Sequence, residues 1–292
     1  MSASAAGPAA TGLLCAFAVT RTPPDPAGLA AARGHEEGGP LRVLRADGLC
    51  LVVQDVPADL FGEEALTERL NRPEDLERCA RAHHRGVEAA AGQGPVVPLP
   101  MATLYRGDLT AARAVAARRQ VLDTLLDRLR DRTEWAVKVH AAEAEAAAAT
   151  GPGAPARSGD GGRGYLSRVS ARRREQQGAR GKALAEAEAV DAALRRHAVA
   201  ATRHRPQSER LTGRRTPQLL NAAYLVEDAR RADFTAALAR FTAGGTHPAV
   251  RVDASGPWIP YSFARWDEDR QADPDQEADP DPQAHPDQEA PS

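Results

Sequence analysis

Alternating hydrophobic and polar positions predict several β-strands in the first part of the chain. The apolar run at 12–20 predicts a buried strand, and 41–56 predicts a hairpin, since leucines and valines alternate on either side of Asp47-Gly48. This dipeptide favours a tight hairpin turn because glycine tolerates a positive φ. Leu49–Val53 is apolar at every position, which predicts a strand covered on both faces.

Apolar positions that recur every three to four residues predict helices at 62–70, 73–91 and 109–131. Pro73 suits the first turn of the second helix, and Asp108 is expected to cap the third. One shared face of the second helix is predicted from its spacing, comprising Leu76, Ala80, His84 and Val87. The connection at 21–40, rich in proline and glycine, is expected to be a loop.

A second series of elements starts with a predicted strand at 134–140, where apolar and polar residues alternate. Residues 142–164 are rich in alanine and then in glycine and proline, so we expect a flexible insert. A long helical region is predicted at 165–205, broken near Gly178 and Gly181. A strand, a helix and a final strand are then predicted at 219–226, 233–241 and 249–253.

This order of elements predicts an α+β fold with two domains, at 12–132 and 133–264. Strands and helices alternate in the second domain, which favours a modified ferredoxin-like fold with extended helices. Residues 1–11 are small and polar and are expected to be disordered. The acidic tail at 265–292 is also expected to be disordered, since its repeated Asp-Pro and Gln-Glu units cannot bury a core.

Charge and cysteine content exclude several classes of protein. The net charge is −2, but Asp267–Ser292 holds ten acids and one base, which leaves 37 bases and 30 acids elsewhere. Because this excess is spread along helices, it does not form the dense basic face of a nucleic-acid binder. No apolar run approaches the roughly 20 residues of a membrane helix. Three cysteines without metal-type spacing indicate buried thiols in a reducing cytoplasm: Cys15, Cys50 and Cys79.

The segment Gly256–Phe263 concentrates three aromatic residues between and beside two prolines, in a chain that contains only 4% aromatics. Each proline fixes φ and removes a backbone donor, so the segment cannot be an ordinary central strand. We expect an extended tail that packs on its own domain, or alternatively a docking epitope for another protein. Its candidate contact residues are Gly256, Pro257, Trp258, Pro260, Tyr261 and Phe263.

Few residues suggest catalysis or metal binding. Cys79 and His83 are four positions apart with His84 adjacent, a spacing that suits two metal ligands or a thiol beside its base. No second cysteine-histidine cluster completes such a site, so packed or surface histidines are the better interpretation. Gly159–Gly164 lacks the spacing and the preceding strand of a phosphate-binding loop. We therefore predict no catalytic, cofactor-binding or metal-binding residues.

Other charged and aromatic groups have simpler explanations. Arg172–Arg174 is expected to lie on a solvated helix face. Trp135 and Tyr224 fall in predicted strands, but the pattern of an RNA-recognition strand does not surround them. Paired acids in first helical turns favour the helix dipole, namely Glu63-Glu64 and Glu74-Asp75.

Five landmarks in order carry a resemblance to a known family. They are Ala82–Val87, Pro95–Leu99, Glu134–Val139, Gly164-Tyr165-Leu166 and the GPWIPYSF segment at 256–263. This ordered set resembles the gas vesicle protein GvpL/GvpF family over most of residues 12–264. The chain departs from the family pattern at Pro100–Thr103, at Ile259 and in a first strand without the usual Tyr-Gly pair.

The resemblance implies a non-enzymatic accessory or minor structural protein of gas vesicle assembly in the cytoplasm. Its implied partners are the small hydrophobic shell protein and other gas vesicle proteins, not nucleic acid or a membrane. The tail would then wedge between the domains, and Trp258→Ala would cost about 3–5 kcal/mol if the ring were fully buried. The alternatives are a ferredoxin-like ligand-binding module or enzyme, with a concave polar pocket, and a nucleic-acid binder.

Overall fold

The computed structural model describes residues 12–92, 94–142, 162–205, 216–243 and 247–265. Two antiparallel sheets alternate with layers of helices in these residues, which confirms the α+β class. The predictions for residues 1–11, 143–161 and 266–292 lie outside the described residues.

The first sheet comes entirely from the first part of the chain. Its strands are β1 (Leu13–Thr20), β2 (Arg42–Ala46), β3 (Leu49–Val56), β4 (Val96–Pro98) and β5 (Leu104–Arg106). The order is β2-β3-β1-β4, and β5 also pairs with β1. The predicted hairpin is confirmed, since Asp47 and Gly48 both have positive φ, 49° and 76°. These angles match the turn that suits the twist of a two-residue hairpin.

Four helices cover one face of this sheet: α1 (Pro26–Ala31), α2 (Ala58–Phe61), α3 (Glu63–Leu70) and α4 (Pro73–Ala91). The helix α1 lies in the predicted loop, so that prediction was wrong. A local signal exists for it, because the Asp25 carboxylate accepts hydrogen bonds from two backbone N–H groups and Pro26 follows. The predicted bounds of α4 are confirmed, but of its predicted face only Val87 is buried. The buried residues of α4 are Asp75, Cys79, Ala82, His83, Gly86, Val87 and Ala90.

The helix predicted at 109–131 is two helices, α5 (Asp108–Ala117) and α6 (Arg119–Leu129). They separate at Arg118, whose backbone leaves helical geometry at φ −108° and ψ 12°. Asp108 is the first helical residue rather than the cap, and its carboxylate accepts a 2.6 Å hydrogen bond from Arg42. Leu109 lies in the first turn of α5 and is 64% exposed.

The second sheet has the order β7-β8-β6-β9. Its strands are β6 (Arg132–Ala141), β7 (Ala200–Arg203), β8 (Gln218–Glu227) and β9 (Val250–Trp258), with helices α7 (Gly162–Arg195) and α8 (Arg231–Thr242). The sequence prediction missed β7, and α7 continues through Gly178 and Gly181 instead of breaking there. The final strand also extends to Trp258, five residues beyond its predicted end.

Five layers result from this packing, with α5 and α6 between the two sheets. Side chains from both sheets meet around these helices in one shared core that includes Leu14, Leu51, Leu126, Leu225 and Phe263. The outer face of the first sheet packs on α1–α4, and that of the second sheet packs on α7 and α8. The strand β8 contributes side chains both to the shared core and to the core beneath α7 and α8, because successive residues of a strand point to opposite faces.

A buried polar network joins α7 to the second sheet. The Tyr224 hydroxyl donates a 2.5 Å hydrogen bond to Asp191, and Arg195 and Arg203 donate to the other carboxylate oxygen. Because Asp191 is buried, these donors offset the cost of removing its charge from water. The contacts with the arginines and the tyrosine hold the pKa of Asp191 below its usual value against the opposing effect of burial.

Candidate partner-contact site at the aromatic clasp

The segment Gly256–Phe263, named here the aromatic clasp, leaves the edge of the second sheet. Its first residues belong to β9, which pairs with β6 and shifts register between Glu134 and Ala136. Gly256 has φ 145°, and an added Cβ would lie 2.9 Å from the Glu134 carbonyl oxygen and 3.0 Å from the Trp135 ring. Only glycine fits this position without displacing β6. The prediction that the prolines exclude a central strand agrees with this edge position.

Trp258 lies on the outside of the clasp. The residue is 44% exposed, and its indole N–H donates to Ser255 Oγ at 3.2 Å. The ring also stands edge-on to His84 of α4, with 6.3 Å between centroids. Full burial was the condition for a cost of about 3–5 kcal/mol on truncation to alanine, and this condition is not met.

Tyr261 fastens the clasp to α4. Its hydroxyl lies 3.1 Å from His84 Nδ1, while His84 Nε2 lies 3.3 Å from a Glu88 carboxylate oxygen. A neutral imidazole that donates from Nε2 to Glu88 leaves Nδ1 free to accept from the tyrosine. Burial raises the pKa of Tyr261, so the hydroxyl keeps the proton that it donates.

Ser262 fastens the clasp to the second sheet. Its backbone N–H and its hydroxyl donate to the two carboxylate oxygens of Glu134, at 2.8 and 2.7 Å. His204 Nε2 lies 3.2 Å from the same hydroxyl oxygen, which accepts from the imidazole N–H while donating to Glu134. Burial raises the pKa of Glu134, and the two bonds from Ser262 oppose that rise.

The end of the clasp is buried. Phe263 is 5% exposed and belongs to the core shared by the two sheets. Pro260 is also buried, and Ile259 and Tyr261 pack against the core on the outer face of the first sheet. The clasp therefore combines a buried anchor with an exposed aromatic ring.

The cysteine and histidine that could have suggested metal or thiol chemistry lie inside the protein. The three cysteines are unpaired and buried, as predicted. Burial raises the pKa of the Cys79 thiol, which disfavours the reactive thiolate. The His83 ring stacks on Phe17 and lies 3.0 Å from the Leu99 carbonyl oxygen. Among the described residues, no group of three or more potential ligands could hold a metal ion.

The other candidates occupy ordinary structural positions. Of the glycine-rich segment, residues 162–164 open α7 and the rest lies outside the described residues. Arg173 and Arg174 are exposed on α7. Trp135 and Tyr224 are paired across β6 and β8 and pack on Phe234, beneath the helices rather than on an open surface. The paired acids at 63–64 and 74–75 lie in first helical turns, as predicted.

Sequence reasoning missed the groups that hold the clasp, namely His84, Glu134 and His204. Glu134 had only a weak signal, since it is one of several polar residues in a strand where polar and apolar positions alternate. No local signal joins His204 to Ser262, because 58 residues separate them along the chain. None of the helices in the described part of the chain combines the length and hydrophobicity needed to cross a membrane.

Known proteins resemble this chain in sequence and in fold. The chain is 39% identical over 250 residues to gas vesicle protein L of Streptomyces sp. (strain CB03234), covering 85% of this chain and 91% of that protein. Its fold is similar to the crystal structure of GvpF from Anabaena sp. PCC7120, with a TM-score of 0.59 and 16% identity over 87% and 97% of the two chains. GvpF from Microcystis aeruginosa gives a TM-score of 0.57 and 16% identity over 88% and 100%.

The family match extends over the same region as the two sheets and the clasp. The model of the family described as gas vesicle synthesis protein GvpL/GvpF matches residues 14–265, from the start of β1 to just beyond Phe263. This agrees with the order of the five sequence landmarks and with the fold of the two crystal structures. The chain belongs to the GvpL/GvpF family of gas vesicle synthesis proteins.

Proposed function

We propose that this protein is an accessory or minor structural protein of gas vesicle assembly that binds the small hydrophobic shell protein or other gas vesicle proteins. Membership in a family of gas vesicle synthesis proteins, which is not a known enzyme family, supports this role. A shell protein that polymerises exposes hydrophobic surface and strand edges before it is assembled. A partner that covers these surfaces would prevent premature aggregation at the gas vesicle.

The observation that carries the contact proposal is the exposed ring of Trp258. Tryptophan is enriched among the residues that dominate binding energy at protein interfaces. Here the ring is held by Ser255 and His84, so little side-chain entropy remains to be lost on binding. The ring also lies at the end of β9, an edge strand in the described sheet. The proposed contact surface is therefore Trp258 with the exposed Pro257, supported from below by the buried half of the clasp.

We also propose that the chain comprises two units, 12–132 and 133–264, the second a modified ferredoxin-like fold. The strands of the first sheet end at Arg106, and those of the second begin at Arg132. The described elements of the second unit follow the order β-α-β-β-α-β, which is the order of ferredoxin-like folds. The length of α7, 34 residues, supports the expected helical extension.

Co-purification with the shell protein tests the contact proposal. The full chain is co-expressed with the shell protein as wild type, as Trp258→Ala and as Leu109→Ala, a control at another exposed hydrophobic residue. We expect wild type and Leu109→Ala to retain the shell protein. Trp258→Ala should bind about 30-fold more weakly, as for a residue that contributes about 2 kcal/mol.

Thermal melting of each variant separates loss of binding from loss of folding. If wild type does not retain the shell protein, the proposed partner is wrong. If Trp258→Ala retains it as well as the control does, the shell protein binds elsewhere and the clasp is a structural element only.

A further inference from the structure

The N-terminal half of α7 forms one wall of an open cleft. Further along the helix, Ala183, Ala187, Val190 and Leu194 are buried against the second sheet. Before Ala183 the inward positions are only half-buried, so the helix extends beyond its contact with the sheet. The space beneath it, named here the α7 cleft, has a volume of about 700 Å³ and reaches the ends of β6 and β8.

The charged residues that the structure describes along the α7 cleft are both arginines. Arg173 and Arg180 are exposed along it, glutamines and alanines fill most of the remaining wall, and none of the described residues that line it is a carboxylate. Neither arginine forms an ion pair with any of the residues that the structure describes. Two other clefts combine arginine with glutamate, namely Arg33 and Arg85 with Glu36 and Glu88, and Arg106 with Glu63. The α7 cleft therefore suits an extended, acidic segment.

The chain itself contains such a segment directly after the last described residue. Residues 266–292 hold ten acids and one base, and their repeated prolines favour an extended backbone. The described chain ends at Arg265, three residues after Ser262, which contacts His204 at the β7 edge of the sheet.

Distance does not prevent contact between this segment and the cleft. From Glu134, which Ser262 contacts, to Ala141 at the cleft, β6 runs seven residues, or about 23 Å. Twenty-seven extended residues span up to about 90 Å, enough to pass around the sheet edge. Attachment to the same chain also gives the segment a high effective concentration at the cleft.

We propose that the acidic segment 266–292 docks in the α7 cleft of its own chain, with its carboxylates on Arg173 and Arg180. Guanidinium groups bind carboxylates through paired hydrogen bonds, and neither of these arginines is engaged by another described charge. Docking covers the cleft, so an acidic peptide from another protein must displace the segment before it can bind there. The inference does not depend on the identity of the partner at the aromatic clasp.

The distribution of lysine makes the proposal testable with the intact protein. The chain has two lysines, Lys138 and Lys182. Lys182 is exposed on α7 between two residues of the cleft wall. Lys138 lies on β6 between Val137 and Val139, which face α7, so it points to the opposite side of the sheet. A carbodiimide joins a lysine amine to a nearby carboxylate as an amide with loss of water, and mass spectrometry identifies the pair.

We expect cross-links between Lys182 and acids of 266–292 to dominate in the full chain. They should fall at least fivefold in about 0.5 M salt, where surface charges are strongly screened. Reversing both arginines, Arg173→Glu with Arg180→Glu, should cause a similar loss. The matched control reverses two exposed arginines of the other clefts, Arg33→Glu with Arg106→Glu, and should leave the cross-links unchanged.

Several results would overturn the proposal. The segment lies elsewhere if its acids join Lys138 or the α-amino group as often as Lys182. A different segment fills the cleft if Lys182 joins Glu143, Glu145 or Asp160 instead. Cross-links between isotopically light and heavy chains would show docking on a second copy. Cross-links that survive both high salt and charge reversal would exclude the proposed contact. The absence of cross-links, while Lys182 still reacts with an acetylating reagent, would exclude it as well.

Discussion

Truncating Phe263 to alanine should weaken the protein more than any other single change in the aromatic clasp. The ring is 5% exposed and lies in the core that the two sheets share around α5 and α6. Its removal leaves a cavity in a core whose side chains come from both sheets and from α5 and α6, and these cannot collapse together to fill it. Truncation of a buried phenylalanine typically costs about 3–5 kcal/mol, and we expect a value in this range.

Trp258→Ala provides the comparison, because the two residues are five positions apart in the same segment. With 44% of the residue exposed, much of the ring already contacts solvent in the folded protein. Its truncation removes a partial contact with His84 and opens no enclosed cavity. The expected cost is roughly 1–2 kcal/mol, because a half-exposed ring contributes only part of the free energy gained by burying its apolar surface.

Guanidinium unfolding followed by circular dichroism measures both variants beside wild type. At equal slope, a lower midpoint reports a loss of stability. The anchoring role of Phe263 would be refuted if its truncation cost less than about 1 kcal/mol, or if Trp258→Ala cost as much as Phe263→Ala.

Three further predictions concern buried ionisable groups and helical glycines. Burial raises the pKa of Glu134, so its ionisation destabilises the fold as pH rises above 4.5. In unfolding titrations, the stability advantage of wild type over Glu134→Gln should therefore shrink from pH 4 to pH 7. A constant difference in stability would contradict this prediction. Burial lowers the pKa of His35 to about 4, so wild type should lose up to about 3 kcal/mol between pH 6.5 and 4, whereas His35→Phe should show a smaller loss. Gly86→Ala should cost about 1–3 kcal/mol because its Cβ meets the Phe17 ring. Gly178→Ala, with open space around it, should stabilise the protein by up to about 1 kcal/mol. Melting temperatures equal to that of wild type in both variants would refute both predictions.

Local patterns were sufficient to predict the strongest elements. The bounds of α4 and the hairpin of β2 and β3 depend on a proline in a first turn, an Asp-Gly turn and clear periodicity. By contrast, β7 was missed because alanines around Ala200 and Ala201 favour helix, while the strand is stabilised by pairing with β8. Such pairing depends on residues 19 to 25 positions away and leaves no local signal.

Glycines caused the opposite error in α7. Gly178 and Gly181 each cost about 1 kcal/mol relative to alanine, which is not enough to end a helix stabilised by many residues around it. A Cβ added at either glycine would have no described atom within 4 Å, so neither glycine marks a close contact in the described part of the chain. The periodic apolar residues that follow are the stronger signal.

The candidate site could be located from sequence but not oriented. Two prolines and three aromatics identified the clasp, and Gly256 marks the close approach to β6. Which ring is buried depends on where α4 and the shared core lie relative to β9, and sequence spacing does not contain that information. The groups on both sheets that hold the clasp are likewise distant in sequence, as the pair Glu134 and Ser262 shows.

Electron microscopy of a strain that lacks this gene tests the proposed role in gas vesicle assembly most directly. We expect no visible vesicles in the deletion strain, restoration by the wild-type gene and by Leu109→Ala, and poor restoration by Trp258→Ala at equal protein level. Normal vesicles in the deletion strain would contradict an assembly role for this protein.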